Sequence, residues 1–589
     1  MKKGCKWLAL FLALGMAFSC FSVPVLAQDG AFQKSAEHAA AKGIEAVLNG
    51  VLGTVDFLLP DGENFYDLDT YQSRNFLPGT GTFADAPAGF GTWKLGYAQA
   101  SLVPQDYLEH AYYLGGYIMA ENGMNNRVEE LLDDMRVRVV ALDDSTGSGT
   151  AVFAAVDCIG MTNQDICRIR AKLSEKMPDT NFSGISVFST HCHSGIDTQG
   201  LWTNTFAKAF KNLFRSVLHL GKLETGTDPQ YMAFLYDAVS DAMRSAVQQM
   251  HSGTMRYAHK DIGSAYFTNK NRKSASALMT QMHRLVFTPD DPSVPPTMIV
   301  NAAAHPDVAG LPTSDGQSSG RGISGDYIYY MDEVIRGAGY QFMFINGAIA
   351  GIYMSRGKTN NSQDFTRRVQ QSARYGNTLG KIALSLTRTE QEIADDEYLS
   401  NDAVEEAERA VAQRKGNPYY LWYADWTPVR ETDVPARLNM QFAQVTVPVT
   451  NAFIRIAGRL NLAAYDVLRE NRNCFIRTEI GYLELGGVVR AALMPGEVCQ
   501  DLVVGGTSVT AAGSFSGKAF GYATIEDLFG KDTIVFGLAN DAIGYVIPDN
   551  DYCMCIAFDH YHELIGLGSQ TASTIMRGFA ALAQKIQES

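Results

Sequence analysis

Short apolar runs alternate with amphipathic segments through the first half of the sequence, and this alternation restricts the fold more than any other feature. The runs are rich in β-branched residues, as strands are, whereas the segments between them repeat apolar residues at helical spacing. The elements predicted in this part are strands at 135–142, 150–159 and 185–188 and helices at 163–177 and 230–250. Strands that alternate with helices in this way indicate an α/β domain.

Similar signals continue to the C-terminus. A strand predicted at 297–302 leads into His305, and the proline after this histidine favours an extended backbone there. The later elements predicted are strands at 341–345, 441–449, 478–485, 488–493 and 533–536 and helices at 365–386, 403–414 and 571–587. We predict that the helices between residues 365 and 414 form an insertion in the α/β domain.

The N-terminus has the pattern of a secretory signal peptide. Three lysines among the first six residues precede an apolar stretch at 8–23, and small residues follow it up to Ala27. We predict cleavage after Ala27 and therefore a secreted or cell-surface protein. Lipidation of Cys20 is the less favoured alternative, because residues 17–19 match a lipoprotein signal poorly.

The sequence divides into three predicted parts. The signal peptide occupies 1–27 and an N-terminal extension occupies 28–92. This extension begins with one or two amphipathic helices and continues as a segment rich in proline, glycine and aromatic residues. We place the main domain at 93–589.

Charge and cysteine content exclude several classes of protein. The net charge of −14 makes nucleic acid an improbable partner. Cleavage of the signal peptide leaves seven of the nine cysteines, an odd and scattered set without any C-x-x-C pair. This set does not predict a disulfide framework or a cysteine zinc site.

Three predicted strands end in residues that can bind zinc. The segments are THCHSG at 190–195, AHP at 304–306 and MPGE at 494–497. Side chains two residues apart on an extended segment share a face, so His191 could bind a metal while His193 contacts what the metal binds. Two histidines and one carboxylate leave an open position on zinc, as a hydrolytic site requires.

Each motif also has a purely structural interpretation. The pair His191 and His193 could be satisfied by hydrogen bonds beside a tight Ser-Gly turn. Glu497 could be an exposed carboxylate after a Pro-Gly turn, which is the favoured interpretation of that motif alone. Spacing does not decide between the alternatives, so the predicted site depends on the motifs taken together.

Taken in order, these segments resemble the neutral, alkaline-type ceramidases and their wider family of bacterial ceramidase-like hydrolases. The family pattern continues with a tyrosine, which here is Tyr545 in GLANDAIGYV at 537–546. The resemblance runs from about Trp93 to the C-terminus. It implies an α/β fold of mixed β-sheets flanked by helices, a ceramidase-like catalytic domain behind a helical N-terminal extension.

The resemblance also implies roles for individual residues. The zinc ligands would be His191, His305, Glu497 and Tyr545. His193 would contact metal-bound water or the substrate carbonyl, and Arg272 in NKNRKS at 269–274 would face the carbonyl oxygen. Without the family, the favoured interpretations are a solvated basic loop for Arg272 and a core aromatic for Tyr545.

Two features differ from the family. The family's serine segment aligns with NGAIAGIYMS at 346–355, where Tyr353 takes the place of the serine and Ser355 lies two residues later. The chain also stops soon after its last predicted helix, without the C-terminal β domain of full-length ceramidases. Both differences put ceramide in question as the substrate, whereas the metal-binding motifs are intact.

The function implied is that of a secreted zinc-dependent amidohydrolase. Metal-activated water would cleave the amide bond of an N-acylated lipid or a related acyl amide, and the lipid class of substrate allows peripheral contact with a membrane surface. The alternatives are hydrolysis of an ester or a non-lipid amide by the same centre, or a non-catalytic binding protein on the same fold. Metal content separates the enzymes from the binding protein.

Overall fold

The computed structural model describes residues 31–81, 83, 91–116, 126–271, 277–309, 321–354, 365–400, 427–555 and 560–588. The predicted features that lie outside these residues are the signal peptide with Cys20, the helix at 403–414, Arg272 and Ser355. Within the described ranges, no helix is both long enough and apolar enough to cross a membrane.

The larger of the two main sheets has nine strands. Eight of them follow one another in the order Gln341–Asn346, Thr297–Ala302, Gln281–Pro289, His251–Asp261, Trp93–Ser101, Arg136–Asp143, Thr150–Val156 and Phe182–Ser189. The short strand Thr432–Asp433 pairs with His251–Asp261. The sheet is antiparallel except for its outermost pair on each side.

The first parallel pair contains the THCHSG segment. Its strands Thr150–Val156 and Phe182–Ser189 are joined by the helix Asn163–Lys176, as the sequence predicts. This helix begins with a capping box, in which the side chains of Thr162 and Asp165 each accept a hydrogen bond from the other residue's backbone N–H. The unit delivers His191 to the carboxyl end of an outer strand.

The second parallel pair contains the AHP segment. Its strands Thr297–Ala302 and Gln341–Asn346 are joined through the helix Asp326–Gly337, which the sequence did not predict. The helix buries Ile328, Met331 and Ile335 against the sheet. His305 therefore lies just beyond the carboxyl end of Thr297–Ala302. This strand is the neighbour of the outer strand Gln341–Asn346, on the opposite side of the sheet from His191.

A second, six-stranded sheet supplies the remaining motif. It runs Phe65–Asp67, Val467–Glu470, Asn473–Leu485, Val489–Leu493 and Ile534–Phe536, with Leu438–Pro448 paired to Asn473–Leu485. The MPGE segment directly follows Val489–Leu493. Glu497 therefore also lies beyond the carboxyl end of a strand.

The two sheets pack face to face and are covered by helices on their outer faces. Phe153, Phe188 and Met343 of the larger sheet share one core with Leu483 and Phe536 of the smaller sheet. The outer face of the larger sheet is covered mainly by Asn163–Lys176, Pro229–Gln248, Asp326–Gly337 and Phe365–Ser385. The outer face of the smaller sheet is covered by Ala452–Arg459 and Thr571–Glu588. These layers confirm the predicted α/β fold of mixed sheets flanked by helices.

The predicted N-terminal extension begins with one long helix, Ala31–Leu58. Its side chains Leu48, Leu52 and Val55 are buried in the same core as the helix Ala452–Arg459. The predicted boundary at residue 93 stays a prediction, although the helix contributes to the core behind the smaller sheet.

The outer strands of the larger sheet are connected through the segment that follows Ile534–Phe536. The N–H of Gly537 donates to the carbonyl of Asn346 at 2.9 Å. On the other side, the N–H of Asn540 donates to the carbonyl of Val187 at 2.8 Å, and its Oδ1 accepts from the N–H of Val187 at 3.0 Å. The two histidine segments consequently meet, although their strands lie far apart in the strand order.

The remaining described elements are short or peripheral. Three two-stranded pairs are Glu130–Leu131 with Gly322–Ile323, Phe267–Asn269 with Ile352–Met354, and Glu497–Val498 with Tyr545–Val546. The other helices are Thr205–Leu218, Glu390–Asp395, Glu397–Ser400, Asp501–Val504 and Ile525–Phe529. Single 3₁₀ turns are Ser264–Tyr266, Asp549–Asp551 and Tyr561–Ile565.

Candidate metal centre

His191 is held in an unusual backbone conformation at the end of its strand. Its φ angle is +66°, in the left-handed region that a residue with a side chain seldom adopts. The ring Nδ1 lies 2.8 Å from the carbonyl oxygen of Ile159, and the neighbouring N–H of Cys192 donates to the carbonyl of Cys158 at 3.0 Å. Backbone strain of this kind is concentrated at functional sites.

His305 reaches the same point from the second parallel pair. Its side chain is fully buried, and its Nδ1 lies 2.8 Å from the carbonyl oxygen of Ile352. The rings of His191 and His305 are 4.7 Å apart between centroids. The carbonyl of Pro306 accepts from the N–H of His193 at 3.0 Å and so ties the two histidine segments together.

Glu497 and Tyr545 complete the set of four residues. One carboxylate oxygen of Glu497, Oε2, lies 3.0 Å from Nε2 of His305 and 3.4 Å from Nε2 of His191. Tyr545 is the direct register partner of Glu497 in the short parallel pair. The structure therefore brings His191, His305 and Glu497 together and places Tyr545 on the strand beside Glu497.

The protonation states at this point suit a cation. Backbone carbonyls only accept hydrogen bonds, so both histidines carry a proton on Nδ1 and turn the other ring nitrogen, Nε2, toward the carboxylate. Burial lowers the pKa of His191 to about 4, against the opposing effect of Glu497. Burial also opposes ionisation of Glu497, but His191 and His305 outweigh it and lower the pKa of the carboxyl.

Nε2 of both histidines therefore faces Oε2 of Glu497, at 3.4 Å for His191 and 3.0 Å for His305. A positive charge between these atoms, as a proton or as a metal ion, stabilises such an arrangement. Neutral imidazole, carboxylate and an adjacent tyrosine form a donor set that zinc accepts, and each Nδ1–H donates to a carbonyl as zinc-binding histidines usually do. The residues present therefore fit a metal ion.

His193 belongs to the same cluster. A ring nitrogen of His193 lies with those of His191 and His305 inside a group whose atoms are all within 4.8 Å of one another. Its ring is 4.8 Å from that of His191 and 5.7 Å from that of His305. The structure thus places His193 close enough for either role, ligand or substrate contact.

Gly116 packs directly against the ring of His193. A Cβ atom at position 116 would lie 2.6 Å from Cγ of His193, and the φ angle of Gly116 is +104°. Only glycine adopts this conformation without strain and leaves room for the ring. Gly116 thereby restricts where the His193 side chain can lie.

We expect Gly116→Ala to lower kcat/KM by about ten-fold or more and to leave the metal content unchanged, because it displaces a substrate-contacting group and no ligand. Gly263→Ala is the matched control, since Gly263 has φ +87° but open space around its Cβ position. Steady-state kinetics with metal analysis of both variants provides the test. Loss of metal in the Gly116 variant would instead make His193 a ligand.

Asn346 joins the two histidine segments and was not predicted to have a role. Its side chain is fully buried at the end of Gln341–Asn346. Nδ2 donates to the carbonyls of Thr190 at 2.9 Å and Ala304 at 3.0 Å, while Oδ1 accepts from the N–H of Ala304 at 3.2 Å. These two residues directly precede His191 and His305, so Asn346 positions both.

Asp326, in the SGDY segment at 324–327, holds the loop after His305. Its carboxylate accepts hydrogen bonds from the N–H groups of Val308 at 2.8 Å and Ala309 at 2.9 Å. The structure therefore gives this segment a positioning role.

A cavity of about 400 Å³ opens beside the cluster. Much of its wall is apolar and is formed by Leu201, Trp202, Ile454, Ile543, Ile565 and Leu567. His191, His193, Glu497 and Tyr545 line the same cavity. A long apolar group could therefore occupy this space while a polar bond lies at the cluster.

Sequence reasoning gave no role to Lys270 or Asp307, two polar residues of the cavity. They line it together with Tyr353. Tyr353 stacks on His305 with ring centroids 4.5 Å apart, and Nζ of Lys270 lies 3.7 Å from the centre of the Tyr353 ring. The position directly after the H-P pair could have pointed to Asp307, whereas nothing local distinguishes Lys270.

Another missed residue is His562, whose ring centroid lies 4.5 Å from that of Tyr545. Arg272 itself lies outside the described residues. Its neighbour Asn271 donates through Nδ2 to the carbonyl of Ala350 at 3.0 Å, three residues before Tyr353. The described part of the NKNRKS segment therefore runs beside the cavity.

Comparison with known proteins finds similarity in structure and none in sequence. No family model and no curated protein matches this chain. A neutral ceramidase from Pseudomonas aeruginosa matches with a TM-score of 0.53 and 12% identity over 85% of this chain and 75% of that chain. A ceramidase complexed with C2 matches with the same TM-score and identity over 84% of this chain and 75% of that chain. At this identity the likeness concerns the fold alone, and the chain has a ceramidase-like fold.

Proposed function

We propose that this protein is a zinc-dependent hydrolase that cleaves the amide bond of an N-acylated lipid or a related acyl amide. The observation that carries the proposal is the convergence of Nε2 of His191 and Nε2 of His305 on one oxygen of Glu497, beside the cavity of about 400 Å³. The fold shared with ceramidases supports the same class of bond.

The metal would be held by His191, His305, Glu497 and Tyr545. A zinc ion bound there supplies Lewis acidity and lowers the pKa of water to about 7. The carbonyls of Ile159 and Ile352 fix the orientation of the two imidazoles, and Asn346 fixes the spacing of their backbones. The site is therefore preorganised, because these contacts hold the metal-binding residues in position before the substrate binds.

The other residues would act on the substrate. His193, held by Gly116, would contact the scissile carbonyl, and we propose that Arg272 faces the same oxygen. Donors in such positions each contribute roughly 3 kcal/mol when they are preorganised. The apolar wall with Leu201 and Trp202 would hold the acyl chain and exclude water from the cluster.

A side-chain nucleophile has no part in this proposal. Tyr353, at the family's serine position, has its ring stacked on His305, and a phenol buried in this way is a poor nucleophile. We expect Tyr353→Phe and Ser355→Ala to retain hydrolysis within about five-fold of the unchanged protein. Mass spectrometry after rapid acid quenching checks for an acyl group, and an acyl-enzyme at either position would contradict the water mechanism.

The direct experiment is an activity screen of the zinc-loaded protein. The panel contains N-acyl sphingosines, N-acyl ethanolamines, N-acyl amino acids and fatty acyl esters with matched acyl chains, and the readout is the released fatty acid. The proposal expects amides to be cleaved faster than esters. Faster ester cleavage would favour the alternative hydrolase, and binding without turnover would favour a binding protein.

The site of action is part of the proposal. A signal peptide at 1–27 would direct the protein out of the cytoplasm. The proposed substrates are N-acylated lipids in membranes that the exported protein can reach. Mass spectrometry of the N-terminus of the exported protein tests this, with Gln28 expected as the first residue and a lipid on Cys20 as the contrary result.

A further inference from the structure

One short stretch of the surface carries a concentration of exposed apolar side chains. Twelve large apolar residues are exposed in the described part of the chain, and four of them lie within eleven residues. These four, which we term the apolar ridge, are Phe210, Phe214, Leu218 and Leu220, with exposed fractions of 47 to 60%. Isolated exposed apolar side chains are ordinary, but a contiguous group of aromatic and aliphatic residues indicates an interaction surface.

The apolar ridge follows one face of a well-anchored helix. Phe210, Phe214 and Leu218 are spaced by four residues along Thr205–Leu218 and therefore lie on the same side. The opposite side is buried through Leu213 and Asn212, and Nδ2 of Asn212 donates to two backbone carbonyls at 2.8 Å. The helix has an apolar face toward the core and a second apolar face toward the solvent.

Positive charge accompanies the apolar ridge in a protein of net charge −14. Residues 205–223 contain Lys208, Lys211, Arg215 and Lys222 and no acidic residue. Glu224 pairs with Lys211 and Arg215, so the segment as a whole keeps an excess of positive charge. Apolar side chains flanked by basic ones complement an anionic lipid surface.

The same segment leads into the candidate active site. Leu201 and Trp202, which line the cavity, lie only a few residues before the helix begins at Thr205. The wall of the cavity and the apolar ridge are thus consecutive parts of one chain segment.

We propose that the apolar ridge docks on the surface of an anionic phospholipid bilayer, with Thr205–Leu218 parallel to the membrane plane. Phe210, Phe214 and Leu218 enter the boundary between headgroups and acyl chains, and the side chains of Lys211, Arg215 and Lys222 lie toward the lipid phosphates. The proposal rests on the proposed function insofar as the bilayer supplies the N-acylated substrate. It assigns the occupant of this surface as membrane rather than a second protein.

Vesicle sedimentation tests the docking. Vesicles of phosphatidylcholine with about one third phosphatidylglycerol should bind the mature protein that begins at Gln28, whereas pure phosphatidylcholine and high salt should weaken binding. Phe210→Ala/Phe214→Ala should weaken binding to the anionic vesicles by at least about ten-fold. The matched control Tyr398→Ala/Tyr522→Ala removes two exposed aromatics elsewhere and should bind like the unchanged protein.

Three outcomes would overturn the docking proposal. They are equal binding by the Phe210/Phe214 and control variants, absence of binding by the unchanged protein, and a solution dimer that the Phe210/Phe214 variant converts to monomer in sedimentation velocity. A short-chain acyl amide free in solution separates this proposal from the proposed function. Vesicle binding without cleavage of that substrate would contradict only the proposed function, whereas cleavage without vesicle binding would contradict only the docking.

Discussion

His305→Ala should lose its metal and, with it, nearly all hydrolytic activity. The imidazole of His305 is fully buried and lies 3.0 Å from the carboxylate of Glu497, so the proposal makes it a direct ligand. Even loss of a group that only orients a ligand weakens metal binding by about 10- to 100-fold, so loss of a ligand should weaken it by more than about 100-fold. Metal analysis after dialysis, with activity on the best substrate from the screen, measures both effects.

Two further variants distinguish loss of a metal ligand from loss of a buried histidine and from loss of a substrate contact. His283→Ala also removes a buried histidine, one that contacts the hydroxyl of Tyr257 at 2.7 Å, and should destabilise the protein without loss of metal. His193→Ala should keep its metal and lose activity, because we assign His193 to the substrate. Equal metal loss in the His193 and His305 variants would reverse that assignment.

Asn346→Ala should weaken both the fold and the metal site. Its removal leaves the carbonyls of Thr190 and Ala304 without these donors in a buried environment, at a cost of about 2–4 kcal/mol in the free energy of unfolding. Because the two carbonyls precede the two histidine ligands, we also expect metal affinity to fall by about 10- to 100-fold. Chemical denaturation and competition with a zinc chelator measure the two effects.

The matched control for this variant is Asn301→Ala. The Asn301 side chain also donates two buried hydrogen bonds to backbone carbonyls, those of Ile345 at 2.9 Å and Val535 at 3.0 Å. It connects strands rather than the histidine segments. We expect Asn301→Ala to lose about as much stability as Asn346→Ala and to keep its zinc affinity unchanged. Similar zinc affinities in the two variants would contradict the positioning role of Asn346.

Local patterns in the sequence predicted the elements that carry the site. Strands that end in T-H-x-H and A-x-H-P follow from runs of apolar residues, and the helix Asn163–Lys176 follows from the helical spacing of its apolar residues. The order of the motifs and their resemblance to a family then suggested that the residues converge. The structure brings His305 and Glu497 together across 192 residues of sequence, which no local pattern encodes.

Features that depend on distant contacts were not predictable. The strand Trp93–Ser101 contains many polar and small residues, so its sequence has no continuous apolar run that would predict a strand. It nevertheless lies centrally in the sheet. The role of Asn346 arises only because the outer strands of the sheet meet near the segment 537–540. The role of Gly116 arises because its neighbour Gly115 donates a backbone hydrogen bond to Gly195, which brings Gly116 beside His193. Likewise, the exposure of Phe210 and Phe214 follows from the way the helix packs, since its sequence fits a buried helix equally well.

The most direct test of the central claim is a zinc titration of the chelator-treated protein, with metal content and the rate of amide hydrolysis measured in the same samples. The account predicts that activity rises in proportion to bound zinc and saturates at about one zinc per chain, in agreement with a site of two histidines, a carboxylate and a tyrosine. Full amide hydrolysis by the metal-free protein, or zinc bound in this proportion by His305→Ala, would contradict it.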